Sequence, residues 1–311
     1  MNIFMTGASG FIGSCFLQYG PTRGYQIRGL TRNSNHMAFL DGIEWFQGDL
    51  IDELDWQSAL LNIDVVVHAA AEICDENLMQ KVNVDASNRL LKAAIDAGVR
   101  RWVQLSSVGA YGLVHDGLVT EDWSESPIGS YEVSKTDFDK MLQQAAQSSG
   151  IEVCILRPSN VYGSGMRNQS IVHMLNAIRK NLFAFIGPKG ASANYVHVQD
   201  VVQALDLCIS HPKAANQVYI VSAWASMEEM VGSLSEGAAL NVPSRRTPLS
   251  VATLIAKMMQ WWPRWPLTLS RVQAMSLRNR YSTEKIEKEL GWKLTVPVKE
   301  GMRDFARDCR Q

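Results

Sequence analysis

The sequence predicts an α/β fold, in which a doubly wound parallel sheet is accompanied by a smaller, discontinuous C-terminal domain. Up to about residue 160, short apolar runs alternate with helical patterns, which is typical of a parallel sheet covered on both faces. A glycine-rich loop stands between the first apolar run and the first helical pattern. Beyond Pro158 the alternation loosens, and the chain becomes richer in Pro, Trp and loops.

The glycine-rich loop has glycine at every third position, at Gly7, Gly10 and Gly13. Gly7 permits a tight turn, Gly10 lets the backbone approach a phosphate, and Gly13 lets the helix pack on the strand. The N-terminus of that helix offers free N–H groups and partial positive charge to an anion. The loop therefore predicts a Rossmann-type sheet with a dinucleotide ligand, the alternative being a strand-turn-helix without a ligand.

The remaining elements follow from apolar runs and helical spacing. Short buried runs such as Val65-Val66-Val67 predict strands at 2–6, 25–31, 43–47, 64–69, 101–106 and 152–157. Helical patterns predict helices at 11–20, 53–61, 78–97 and 131–149. Two later strands, 194–198 and 217–221, flank a helix at 199–210 that would return the chain to the sheet. We therefore expect a nucleotide-binding domain over 1–165, continued by 194–221, and a smaller substrate domain from 166–193 and 222–311.

Composition is that of a globular protein, with 46% hydrophobic and 20% charged residues in 311. The net charge of −1 gives no indication of a nucleic-acid partner. Five cysteines without a C-x-x-C pair predict reduced thiols in a cytoplasmic protein, and no signal peptide is recognisable at the start. The six scattered histidines include no H-E-x-x-H, so we expect no metal site.

A tyrosine and a lysine, Tyr131 and Lys135, stand four residues apart at the start of a helical pattern, so both point off nearly one face. A fixed ammonium favours the phenolate and lowers the pKa of a nearby tyrosine, which could then exchange a proton with a substrate oxygen. Strand 101–106 ends at Ser107, where a ligand binds in open α/β sheets. The alternatives are an exposed helix pair and a capping hydroxyl.

These segments together resemble the extended short-chain dehydrogenase/reductases, in their NAD-dependent epimerase/dehydratase group. The matching segments are 6–13, 48–50, 68–71, 83–84, 106–107, 131–135, 156–163 and 195–202. The resemblance implies that Ser107, Tyr131 and Lys135 are catalytic and that His68 is structural. It implies that the cofactor is bound by Gly7, Ser9, Gly10, Phe11, Ile12, Gly13, Asp49, Leu50, Ala69, Ala70, Ala71, Asn83, Lys135, Pro158, Asn160 and Val161.

The residues at the end of strand 25–31 predict which dinucleotide binds. A fold that selects NAD places a carboxylate there for the ribose hydroxyls. This chain has Thr31 and Arg32 instead, with Arg28 upstream. An arginine can grip a 2′-phosphate that a carboxylate would repel, so we expect NADP, with NAD as the alternative.

The resemblance implies hydride transfer to or from a secondary alcohol or ketone. Val108 and Gly109 follow Ser107 where family dehydratases carry Asp-Glu, which disfavours a dehydratase. A nucleotide-sugar 4-keto reductase or epimerase is the leading interpretation, with Arg167, Arg271 and Arg280 as candidate diphosphate clamps. The alternatives are an alcohol dehydrogenase like those for 3β-hydroxysteroids or dihydroflavonols, and a regulator that binds NADP without catalysis.

The apolar, Trp-containing segment 249–265 is too short and too interrupted to span a bilayer. We expect it to pack as a helix on the substrate domain or on a partner chain. The alternatives, which we favour less, are membrane-surface contact and a pocket for a flat apolar substrate. The resemblance further implies a homodimer formed through helices 78–97 and 131–149.

Overall fold

A computed structural model describes residues 1–33, 43–166, 169–259, 261 and 267–309. Within these residues the strands, numbered in chain order, are β1 (Asn2–Thr6), β2 (Gln26–Thr31), β3 (Ile43–Gln47), β4 (Val65–His68), β5 (Arg101–Leu105), β6 (Asp116–Val119), β7 (Glu152–Pro158), β8 (Asn160–Tyr162), β9 (Phe185–Ile186), β10 (Ser192–His197), β11 (Gln217–Val221), β12 (Ala223–Ser226), β13 (Arg246–Thr247) and β14 (Arg278–Tyr281).

The α-helices of the same residues are α1 (Phe11–Tyr19), α2 (Trp56–Ala59), α3 (Glu76–Met79), α4 (Ser87–Asp96), α5 (Ser130–Ser149), α6 (Ser170–Arg179), α7 (Val198–Ser210), α8 (Met227–Ala238), α9 (Leu249–Met258), α10 (Leu269–Ala274), α11 (Glu284–Leu290) and α12 (Val298–Asp308). A π-helical segment, Gln80–Ala86, joins α3 to α4, and short 3₁₀ turns cover Gly20–Arg23, Val108–Tyr111 and Pro212–Ala214. No helix in the described part of the chain is long and apolar enough to cross a membrane.

Seven parallel strands form the central sheet in the order β11-β7-β5-β4-β1-β2-β3. Alternate residues of each strand pack into different cores. Ile3 and Met5 join one core with helix α7, whereas Phe4 joins the core on the other face with α4 and α5. The expected α/β fold with a Rossmann-type parallel sheet is therefore confirmed. The strand order reverses between β1 and β4, which opens a crevice at the carboxyl ends of these strands.

A second core lies around the three-stranded sheet β12-β10-β8 and helices α6, α8 and α12. The expected strand 194–198 is observed as β10 and belongs to this smaller sheet, whereas 217–221 is β11 of the central sheet. Ile286, Leu290 and Trp292, which the sequence places in the smaller domain, pack instead into the larger core. The division of the chain is thus more interleaved than the expected boundaries.

Two expected helices differ from those observed. The helix expected at 53–61 is the single turn α2, because Asp55 caps it at Ser58 N and Asn62 adopts a left-handed φ of 58°. The helix expected at 78–97 contains the π segment Gln80–Ala86. Such segments often occur at functional sites, because the wider turn redirects side chains.

Candidate active site

The glycine-rich loop closes tightly between β1 and α1. Gly7 has a φ of +67°, and a Cβ there would lie 2.6 Å from the carbonyl carbon of Ala69 and the nitrogen of Ala70. A Cβ at Gly13 would lie 2.1 Å from the carbonyl oxygen of Gly7. Gly10 N donates to the same oxygen at 2.9 Å and caps α1 with no side chain. The glycines thus let the loop pack closely against α1 and residues 69–70, and no side chain caps the N-terminus of α1. This backbone cradle fits the pyrophosphate of a dinucleotide.

The loops after β2 and β3 meet beside this cradle. Thr31 is buried and its Oγ1 accepts from Asn33 N, whereas Arg32 is 76% exposed. An Arg32 guanidinium nitrogen lies 3.5 Å from Asp49 Oδ2, and Asp49 Oδ1 accepts from Ile51 N. Leu50 is buried in the core of the sheet. The structure therefore brings together the residues expected at the adenosine end and pairs Arg32 with a carboxylate.

A buried chain of hydrogen bonds supports residues 69–71, which follow β4. Thr6 Oγ1 contacts His68 Nδ1 at 2.8 Å and accepts from Ala70 N, and His68 Nε2 contacts Ser87 Oγ at 2.9 Å. Burial lowers the pKa of His68 well below its usual value, and the nearby Lys135 ammonium adds to this. His68 is therefore a neutral structural residue, as the resemblance implied.

Asn83 lies on the π segment and braces the same loop. Its Oδ1 accepts from Glu72 N at 2.7 Å, and its Nδ2 donates to Glu72 O at 3.0 Å and to Ser134 Oγ at 2.9 Å. Both N–H groups of the amide are used within the protein. Asn83 thus joins the 69–72 loop to the helix that carries Lys135, and the cofactor contact that the resemblance implies for it stays a prediction.

Ser107 follows β5 at the same edge of the sheet. Its Oγ accepts from Gly109 N at 3.0 Å, so its own hydrogen stays free to be donated. A Cβ at Gly109 would lie 3.3 Å from Ser107 Oγ and 2.4 Å from Glu132 Cγ, which places the start of α5 directly against this serine. Ser107 is thus the turn cap that the alternative interpretation named, and its hydroxyl hydrogen is available to a further acceptor.

Tyr131 and Lys135 lie one turn apart at the start of α5. Lys135 is 3% exposed, and its ammonium has no hydrogen-bond partner among the described residues. Burial lowers the pKa of Lys135 to about 8, although Asp139 opposes the shift. Burial raises the pKa of Tyr131 to about 12, and the carboxylates of Glu132 and Asp139 add to this rise. The expectation that Lys135 lowers the pKa of Tyr131 is wrong for the protein's own charges.

A buried ionic network that the sequence analysis missed lies behind Lys135. Asp139 Oδ2 accepts from Ser106 Oγ at 2.6 Å and from Arg157 at 3.0 Å, and Arg157 also pairs with Glu125. Asp139 Oδ1 is buried and has no hydrogen-bond partner among the described residues. The four-residue spacing from Lys135 to Asp139 was the signal that could have indicated this network.

The residues after β7 complete the edge. Pro158 is buried, Val161 is partly buried, and Asn160 is exposed while its Nδ2 donates to Asn194 O at 3.2 Å. Of the expected clamps, Arg280 stacks on the Trp224 ring at 3.5 Å, Arg271 lies on α10, and Arg167 lies outside the described residues. These arginines are not shown to converge on one point.

The arrangement agrees with the comparison to known proteins. A model of the NAD dependent epimerase/dehydratase family matches residues 3–222. The chain belongs to this family. The resemblance inferred from the motifs is thereby confirmed, and the protein is placed in a class of enzymes.

Relatives extend beyond the family match. The UDP-glucose 4-epimerase of Vibrio cholerae is 29% identical over 98% of this chain and 94% of its own length. A 3β-hydroxysteroid-dehydrogenase/decarboxylase of Arabidopsis thaliana is 26% identical. The aligned region covers 84% of this chain and 65% of that protein. The structure of the Thermus thermophilus UDP-glucose 4-epimerase in complex with NAD has a TM-score of 0.76 at 25% identity, with 98% of each chain covered.

Proposed function

We propose that this protein is an epimerase that inverts a secondary alcohol of a nucleotide sugar, by oxidation to a ketone and reduction from the other face. One observation carries the proposal: a buried ammonium, Lys135, has no hydrogen-bond partner among the described residues and lies one turn from Tyr131. The full-length similarity to a UDP-glucose 4-epimerase supports the substrate class.

The chain's own residues divide the work. Tyr131 gives a proton to the substrate oxygen or takes one from it, and Ser107 donates a hydrogen bond to the same oxygen because its lone pair is engaged by Gly109 N. The Lys135 ammonium would hold the ribose of the cofactor. The bound dinucleotide supplies the acceptor and donor of hydride. Because burial holds the pKa of Tyr131 near 12, the phenolate depends on positive charge brought in with the oxidised cofactor.

We propose NADP as the cofactor. Support comes from the end of β2, where Thr31, Arg32 and Asn33 offer no carboxylate to ribose hydroxyls. Asp49 beside Arg32 reduces the positive charge available to a 2′-phosphate. The preference for NADP over NAD is therefore expected to be modest.

The decisive experiment incubates purified protein with UDP-glucose or UDP-galactose and follows their interconversion by NMR, with absorbance at the reduced-cofactor band recorded in parallel. Interconversion without net change in reduced cofactor is the expected result. Tyr131→Phe should abolish it, whereas Tyr19→Phe, which removes a hydroxyl bound to Asp206, should not. If Tyr131→Phe keeps its activity as Tyr19→Phe does, the assignment of Tyr131 is overturned.

A second candidate, a nucleotide-sugar 4-keto reductase, is favoured by Arg32, because reductases that release their cofactor each turnover suit NADPH. Net oxidation of NADPH by a 4-keto sugar nucleotide would select it. A third arm of the experiment supplies a 3β-hydroxysteroid with NADP, since a relative of that class matches 84% of the chain. Reduction of NADP in that arm would replace the sugar substrate with an apolar alcohol.

The setting of the enzyme is proposed from the state of its cysteines. The five cysteines are free, and Cys154 and Cys208 are buried side by side without a disulfide, which supports a reducing, cytoplasmic environment. A homodimer through α4 and α5 remains a proposal from family resemblance, and light scattering on the purified protein tests it.

A further inference from the structure

Helix α9 is packed with its small side chains inward and its large ones outward. Ala252 and Ala256 are buried against Ile186 and Val272. The opposite side, Val251, Leu254, Ile255 and Met258, forms the α9 apolar face, in which Leu254 is 58% and Met258 66% exposed. Positions i, i+3, i+4 and i+7 lie on one side of a helix, so the face is a continuous stripe. Trp261, which is 76% exposed, follows directly.

The sequence around this face is basic and free of acid. Residues 237–283 contain no Asp or Glu, although the chain as a whole has a net charge of −1. The basic residues of this stretch are Arg245, Arg246, Lys257, Arg264, Arg271, Arg278 and Arg280. Arg246 pairs with Glu228, but Arg245, which precedes α9, and Lys257, in its last turn, have no ion-pair partner among the described residues.

The charge decides which occupant fits. A second copy docked face to face through α9 would bring two sets of these positive charges together, and such contact between like charges is unfavourable. An anionic lipid surface accepts apolar side chains below its headgroups and attracts lysine and arginine at them. We propose that the α9 apolar face, with Arg245 and Lys257, docks the protein on the surface of an anionic bilayer.

The size of the face predicts the strength of binding. Ten residues of α9 make a helix about 15 Å long, which can lie in the interface but cannot cross it. Few apolar side chains with a small basic patch give reversible peripheral binding. This proposal takes up the membrane-surface alternative for segment 249–265, because the large apolar residues of α9 are exposed in the structure. Residues 260 and 262–266 lie outside the described structure and carry no part of it.

The test is co-sedimentation of the full chain with vesicles. We expect binding to vesicles of mixed phosphatidylglycerol and phosphatidylcholine, weaker binding to phosphatidylcholine alone, and loss of binding as salt is raised. The double variant Leu254→Glu/Met258→Glu should lower partitioning at least ~tenfold. Leu61→Glu, at a residue equally exposed on another surface, should leave it unchanged. Thermal unfolding of each variant verifies folding.

A second pair of variants, Arg245→Glu and Lys257→Glu, tests the charge of the surface. Both side chains are exposed, so the changes should leave the fold intact and still weaken binding to anionic vesicles. The proposal is overturned if the wild-type protein does not sediment with anionic vesicles, or if folded double variant sediments as the wild type does. A change from dimer to monomer in the double variant, measured by light scattering without vesicle binding, would assign the face to a second copy instead.

Discussion

Asp139 lies one helical turn beyond Lys135 on α5, and both side chains are buried. Burial raises the pKa of Asp139, while Arg157, Ser106 and Lys135 oppose that rise. The carboxylate in turn limits the fall in the pKa of Lys135. The charge of Lys135, which we propose to be catalytic, thus depends on the charge of Asp139.

The first prediction concerns the alkaline limit of activity. Activity that needs the Lys135 ammonium falls as pH rises through its pKa, which is about 8. Asp139→Asn removes a negative charge that raises this pKa, so the alkaline limb of the pH–kcat profile should move to lower pH by about one unit. Asp137→Asn, on the exposed side of the same helix, is the matched control. An unmoved limb in a folded Asp139→Asn protein would disprove the coupling.

The second prediction concerns stability. Burial lowers the pKa of Lys135 from 10.5 to about 8. Below pH 8 the buried lysine is charged, and the desolvation of its ammonium destabilises the folded protein to the full extent. Between pH 8 and 10.5 the unfolded chain binds more protons than the folded one, and wild-type stability rises with pH. Lys135→Met should therefore abolish activity yet raise the free energy of unfolding by about 1–3 kcal/mol at pH 7.

Urea denaturation at pH 7 and again near pH 10 measures this gain, which should shrink at the higher pH. Lys140→Met, at an exposed lysine on the same helix, should change stability by no more than about 0.5 kcal/mol at either pH. A destabilised Lys135→Met protein at pH 7 would contradict the sign of the effect.

The third prediction tests the brace at Asn83. Asn83→Ala removes two hydrogen bonds to Glu72 and one to Ser134 of α5, which should lower the free energy of unfolding by about 1–3 kcal/mol. Because the loop rather than the reacting atoms is released, the Kd for the dinucleotide should rise about tenfold with a smaller change in kcat. Gln80→Ala, which loses one exposed contact to Asp85, is the control. Equal changes in Kd for both variants would remove the positioning role.

The fourth prediction concerns cofactor choice. Arg32→Ala should weaken the binding of NADP up to about tenfold and leave the binding of NAD nearly unchanged, because charge-assisted hydrogen bonds to the 2′-phosphate are lost. Titration calorimetry of the purified protein with each dinucleotide measures both Kd values, with Arg100→Ala, at an arginine paired with Glu152, as control. A wild-type protein that binds NAD more tightly than NADP would show that the Arg32–Asp49 pair serves another purpose.

The sequence located those parts of the fold whose signals are local. The glycine loop, the valine-rich strand β4 and the Tyr131–Lys135 spacing each depend on a few consecutive residues, and each was found where expected. Ser107 and the 69–71 loop could be placed at the same edge because parallel strands end together.

Other features depend on contacts that sequence spacing does not encode. Arg157 meets Asp139 only because β7 packs beside α5, and β10 joins β8 rather than the central sheet through pairing that is set in three dimensions. The π segment around Asn83 interrupts the regular helical spacing on which the periodicity depends. In α9 the large apolar residues are exposed, although helical periodicity usually marks the buried face of a helix. Sequence periodicity located these helices but not the sides they present.

The acid-free stretch 237–283 also bears on how the protein will behave during purification. The isoelectric point of about 6.6 suggests a nearly neutral or weakly acidic molecule at pH 7. The stretch carries seven of the 30 Lys and Arg residues and none of the 31 Asp and Glu residues, so the remaining chain is acidic overall. A molecule with such a separation of charge can be retained by cation-exchange resin through one surface and by anion-exchange resin through another, so its elution will follow local charge rather than net charge.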